Sequence, residues 1–101
     1  MSTTRESTLQ SNIIRYLKSK GCVVVKISAG PGVPKGFPDL LALYEGLYLV
    51  VEVKATKTSE FQVGQKEMLK KLGEWSYAFC VYGGKNSNWP EVKKELDEIL
   101  R

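Results

Sequence analysis

Pro38-Asp39 opens one apolar segment, Glu52-Val53-Lys54 closes the next, and the pair Glu45-Gly46 lies between the two. Two carboxylates and an ammonium are thus gathered where two hydrophobic segments end. Hydrolysis of a phosphodiester with the help of a divalent metal needs that set: oxygen ligands for a hard cation, and a positive charge for the phosphate. A two-residue hairpin turn at Glu45-Gly46 pairs Tyr44 with Leu47 and Leu43 with Tyr48, and carries the ladder on until Asp39 faces Glu52. Opposed like charges, with Cβ atoms about 4.5–5.5 Å apart, destabilise a sheet unless a cation sits between them. Glu52 and Lys54, two apart on a strand, project to one face, while Val53 points to the other and continues the series Leu47, Leu49, Val51. Taken alone, a Glu-x-Lys triplet is commonly a solvated charge pair and an Asp after Pro an ordinary turn residue. Here Tyr48 and Val50 share the face of Glu52 and Lys54, so an apolar face abruptly becomes charged, as where a strand runs out of a core into a cleft.

Two further polar residues have helix phases that bring them toward the same place. Glu6 lies three and seven residues before Leu9 and Ile13, so it extends a buried stripe, although it also completes the capping box Thr3-Thr4-Arg5-Glu6. A carboxylate at the end of a buried stripe needs a partner, and a metal would serve. Gln65 sits four residues after Phe61 and four before Leu69, which puts an amide on an apolar helix face, either hydrogen-bonded in the core or turned into the cleft to orient a phosphate or a water. Lys35, Lys57, Lys66, Lys70 and Lys71 are candidates for phosphate contacts along a duplex, and as a set they predict salt-dependent binding.

The elements that must position these groups follow from periodicity and breakers. Residues 4–20 carry Leu9, Ile13, Tyr16 and Leu17 at helical spacing, and Gly21 stops the helix. Residues 22–27 read as a strand, and residues 28–37 as a glycine- and proline-rich loop before the hairpin. Ser59-Glu60-Phe61-Gln62 has the form of a capping box and predicts a helix from there to Gly73, burying Phe61, Met68, Leu69 and Leu72. Residues 76–82 read as a fourth strand closed by Gly83-Gly84. A last helix begins near Asn88-Trp89-Pro90 and buries Val92, Leu96, Ile99 and Leu100. The order is α-β-β-β-α-β-α. A strand reached from the hairpin through a helix is expected to return parallel to its predecessor, which makes a mixed sheet flanked by helices.

Composition narrows the chemistry. The 101 residues make one domain, 1–101, with no apolar run long enough to span a bilayer and a polar start without a signal core. The chain is expected to be cytoplasmic. Histidine is absent, which excludes Ser-His-Asp and Cys-His mechanisms, and Cys22 and Cys80 lack zinc-site spacing and read as reduced core residues. A net charge of +4 leans toward a polyanionic partner.

Glu6, then Gly36-Phe37-Pro38-Asp39-Leu40-Leu41, then Glu52-Val53-Lys54, then Gln65 on the following helix together resemble the PD-(D/E)XK nuclease superfamily, and within it the VRR-NUC (virus-type replication-repair nuclease) branch. The resemblance covers nearly the whole chain and implies a restriction-endonuclease-like α-β-β-β-α-β core. It implies Glu6, Asp39 and Glu52 as metal-binding acids with the Val53 carbonyl as a further ligand, Lys54 as the catalytic lysine and Gln65 as the helix glutamine of that branch. It also implies Mg²⁺ or Mn²⁺, no small-molecule cofactor, cleavage of DNA including branched DNA such as four-way junctions, a homodimer, and a phage or bacterial setting. Tyr77, Tyr82 and Trp89 are candidates for the dimer interface and equally for the core. Two other readings stand beside the nuclease: a non-catalytic nucleic-acid-binding module with the same fold, and a structural protein whose charges form a surface network.

Overall fold

The computed structural model describes residues 6–101. Its elements run α1 (Glu6–Ser19), β1 (Val23–Lys26), β2 (Leu40–Tyr44), β3 (Leu47–Lys54), α2 (Gln65–Trp75), β4 (Tyr77–Tyr82) and α3 (Trp89–Ile99). The expected mixed sheet is present, with strands in the order β1-β2-β3-β4, antiparallel except for the parallel pair β3–β4. The hairpin has the expected register, Tyr44 with Leu47 and Leu43 with Tyr48, down to Leu40 with Val51. Its cause is local: Glu45 and Gly46 both take positive φ, 40° and 90°, the conformation that lets a two-residue turn follow the strands' twist.

The two faces of the sheet differ. On one, Leu40, Ala42, Leu49, Val51, Val53 and Val81 meet Leu9, Ile13 and Leu17 of α1 and Val92 and Leu96 of α3 in the main core. Tyr16 packs edge-on against Trp89 and donates a hydrogen bond to Asp97, fastening α1 to α3. Trp89 therefore belongs with the core, whereas Tyr77 is exposed. Helix α2 covers the other face, where Gly73 comes close enough to Ala78 that a Cβ on it would lie 3.5 Å from the alanine methyl. A helix about 10 Å wide spans roughly two strands spaced ~4.8 Å apart. With α2 over the β3–β4 side, Val23, Val25 and Leu43 on the β1–β2 side stay 62, 40 and 43% exposed.

One expected boundary moves. The helix does not start at Ser59, because the Ser59 hydroxyl accepts the Thr56 N–H in a tight turn and is not free to cap. The chain continues irregularly to Gly64, whose left-handed φ of 88° precedes the first helical residue, Gln65. Gln62 is therefore no cap partner, and Phe61 lies before the helix instead of in its stripe. The capping box proposed for Thr3 and Glu6 falls partly outside the described residues. No helix among the described residues is long and apolar enough to cross a membrane.

Candidate active site

The charged end of the hairpin opens into a cleft of about 580 Å³. Its walls include Asp39, Glu52, Lys54 and Gln65, with Ala29, Gly30 and residues 33–37 of the β1–β2 loop, Gln62 and the first turn of α1 at Glu6 completing the rim. The regular β2–β3 ladder stops one step short of Asp39, at Leu40–Val51, and the aspartate closes it differently from a plain cross-strand pair. Its Oδ2 accepts the Val53 N–H at 2.9 Å, while its main-chain carbonyl still accepts the Ile27 N–H at 2.7 Å. Asp39 is thus held by both neighbouring strands and turned toward Glu52. Pro38 before it is fully buried, which anchors the entry to β2.

Glu52 is 3% exposed. Its Oε2 accepts a hydrogen bond from Gln65 Nε2 at 3.0 Å and pairs with Lys54 Nζ at 3.5 Å, while its Oε1 is buried with no partner among the described residues. Burial first, and the nearby Asp39 second, push its carboxyl up to about 7, with Lys54 pulling the other way. Lys54 Nζ donates to Gln65 Oε1 at 2.9 Å and to the Glu60 carbonyl at 3.1 Å, and stands 4.8 Å from the centre of the Phe61 ring. Gln65 is therefore the clamp of the site: its amide nitrogen holds the acid, and its oxygen accepts from the lysine and from the Gln62 N–H at 2.7 Å. Both readings left open by helix phase meet in it: Gln65 is buried and hydrogen-bonded to protein groups, and it lines the cleft.

Asp39, Glu52, Lys54 and Gln65 are brought together as expected. Glu6 lines the cleft but is exposed, and among the described residues no group of three or more His, Cys, Asp or Glu side chains could hold one ion. The described site is a two-acid site with Glu6 at its edge. Lys35 stands in the cleft wall. Lys57 and Lys66 line a neighbouring surface depression with Phe61 and Val63, and Lys70 is exposed on α2 and lines neither. Sequence reasoning missed the Glu60 carbonyl and the Phe61 ring as supports of Lys54. A backbone carbonyl leaves no trace in side-chain patterns, and the spacing of Phe61 from Gln65 and Leu69 points to the helix stripe.

The family model described as archaeal Holliday junction resolvase (Hjc) matches residues 1–97. The chain belongs to that family. Archaeal Holliday junction resolvases are PD-(D/E)XK nucleases, so the expected superfamily and its α/β fold are borne out. Among solved structures, a VRR_NUC domain protein superposes with a TM-score of 0.66 at 19% identity, covering 97% of this chain and 89% of its own. Hjc of Archaeoglobus fulgidus, a Holliday junction resolvase from an archaeal hyperthermophile, superposes with a TM-score of 0.55 at 19% identity. That match covers 73% of this chain and 63% of the Archaeoglobus protein, so the chain spans less than two thirds of that relative. No curated protein matches significantly in sequence.

Proposed function

We propose that this resolvase-family chain is a divalent-metal-dependent endonuclease that cleaves branched DNA, four-way junctions above all. The observation that carries this reading is Glu52 Oε1, buried beside Asp39 in a cleft without a donor among the described residues. A buried acceptor without a donor is costly, and a hard cation with oxygen ligands removes that cost. Asp39 retains one oxygen beyond its bond to Val53. A strand residue presents its N–H and C=O to the same neighbour, so the Val53 carbonyl lies on the side of Asp39. The donor set of Asp39, Glu52 and the Val53 carbonyl, with Glu6 as an outer acid, suits Mg²⁺ or Mn²⁺ and would hold the ion. Such an ion, once bound, polarises the scissile phosphate and acidifies water. The protein's own part is to supply Lys54 as donor to the charge that develops on the phosphate or to the attacking water, and Gln65 to keep Lys54 beside Glu52. Lys35, Lys57, Lys66 and Lys70 would contact flanking phosphates. A protein that only docked on DNA would have no use for a buried carboxylate facing phosphate.

The test is cleavage of a four-way junction and a linear duplex of the same sequence, in Mg²⁺, Mn²⁺ or chelator. Junction cleavage in either metal, at least about tenfold preferred over the duplex and absent in chelator, is expected. Salt-sensitive binding with no cleavage of any substrate would favour the binding-module reading.

We further propose that two copies act together, paired through the face left bare by α2. Val23, Val25 and Leu43 there are exposed and uncharged, which suits a second copy of themselves across a two-fold axis and does not suit a polyanion. Two sites related by such an axis match the symmetry of a four-way junction, which two symmetric cuts resolve. Leu43→Lys, which opposes like charges at the axis, is expected to convert a dimer to a monomer by sedimentation or light scattering and to abolish paired cuts while leaving single nicks. A wild-type monomer, or an unchanged dimer in the variant, would overturn this placement.

A further inference from the structure

Gly36 lies in the β1–β2 loop at φ +84°, and a Cβ built on it would meet the Gly64 carbonyl carbon at 2.7 Å, the Gly64 oxygen at 2.8 Å and the Gln65 nitrogen at 3.0 Å. These three atoms belong to the peptide that begins α2, so no side-chain rotation can relieve the overlap. The contact is a seat made of two glycines, since Gly64 faces it at φ +88°, with its own Cβ position 3.7 Å from the Lys35 carbonyl oxygen. Gln65, the next residue, is the one whose amide joins Glu52 to Lys54.

We propose that Gly36 is a positioning residue: its missing side chain lets the β1–β2 loop rest directly on the Gly64–Gln65 peptide, and that seat sets the Gln65 amide that holds Glu52 and Lys54 in register. The proposal rests on the nuclease reading for its kinetic consequence but not for its structural one. Any Cβ at Gly36 drives the start of α2 outward, which lengthens the 3.0 Å bond from Gln65 to Glu52 and frees Lys54. An internal control is available in the same loop. Gly32 has nearly the same backbone conformation, φ +89°, but a Cβ there meets nothing within 4 Å among the described residues. Gly32→Ala therefore carries the backbone strain of Gly36→Ala without the collision.

The experiment compares junction cleavage by wild type, Gly36→Ala, Gly32→Ala, Gln65→Ala and the double variant Gly36→Ala/Gln65→Ala. Gly36→Ala is expected to lower kcat on the order of tenfold to a hundredfold with KM nearly unchanged, while Gly32→Ala stays within about twofold of wild type. In the Gln65→Ala background, Gly36→Ala should cost no further turnover, because its effect passes through the amide already removed. Multiplicative losses in the double variant, or equal losses for the two glycines, would overturn the proposal. A readout free of catalysis runs beside it. In metal-free wild type, proton NMR should show contacts between the Gly36 Hα pair and the Gln65 N–H, and the Gln65 side-chain amide signals should move in Gly36→Ala but not in Gly32→Ala. Absence of the wild-type contact overturns the proposal even if Gly36→Ala fails to fold. If those signals behave as expected while wild type cleaves nothing, it is the nuclease reading that fails.

Discussion

Glu52→Gln is expected to lower metal-supported cleavage by at least about 10³-fold, roughly 4 kcal/mol of transition-state stabilisation, and at the same time to make the metal-free protein more stable at pH 8. Both effects come from one carboxyl group. Its burial and the neighbouring Asp39 raise it to about 7 from the ordinary 4.5. Between those values the folded protein holds a proton that the unfolded chain has released, so the stability of the metal-free protein falls as pH rises from about 4.5 to 7 and then levels off. The shift corresponds to at most about 3 kcal/mol at pH 8. A neutral glutamine carries no such slope, so the melting temperature of the variant should exceed that of wild type at pH 8 and converge with it near pH 5. Metal binding requires the ionised carboxylate, hence Mg²⁺ or Mn²⁺ should raise the wild-type melting temperature more at pH 8 than at pH 6 and leave Glu52→Gln unmoved. Thermal melts across that pH range, with metal or chelator, read all of this. Wild-type cleavage by the variant, or an equal metal effect on both proteins, would remove Glu52 from the metal site.

Lys54→Ala should cost about 10²- to 10³-fold in turnover, the usual consequence of deleting a donor aimed at developing charge. Metal binding should survive at alkaline pH, because none of the proposed ligand atoms is removed. Near neutrality it should weaken, since Lys54 is what lowers the Glu52 carboxyl against burial and Asp39. The lysine is well placed for such a double duty, with its ammonium held by Gln65, the Glu60 carbonyl and the Phe61 ring beside Glu52. Calorimetric titration with Mn²⁺ at pH 7 and pH 8.5, alongside single-turnover cleavage, separates the two roles. Loss of metal binding at both pH values would make Lys54 a structural prop of the ligand set. Unchanged turnover would remove it from the chemistry.

The proposed dimer through Val23, Val25 and Leu43 would govern how two cuts are paired, whereas the proposed glycine seat at Gly36 would keep one site in order. The β1–β2 loop contributes to the second alone, and it also carries Lys35 into the cleft wall. Substrate phosphate held at Lys35 would therefore bear on the residue adjacent to the seat.

Much of this protein was legible without a structure, and the reason is that the relevant forces are local. Glu45-Gly46 turns tightly with both residues at positive φ, and once it does, counting residues decides which side chains share a face with Glu52. Apolar spacing on α1 and α3 likewise marked Leu9, Ile13, Leu17, Val92 and Leu96 as core. Where a local signal had a competing partner, it failed. Ser59 has the right neighbours for a helix cap, but its hydroxyl is consumed by Thr56, and the helix waits for Gly64. Tertiary structure alone decided the depth at which Glu52 is buried, the turn of the Gln65 amide into the cleft, the rim position of Glu6 and the half of the sheet that α2 leaves bare. Each depends on how far one element lies from another in space. That distance is set by packing across the sheet and by contacts such as Gly36 on Gly64, which no periodicity along the chain encodes.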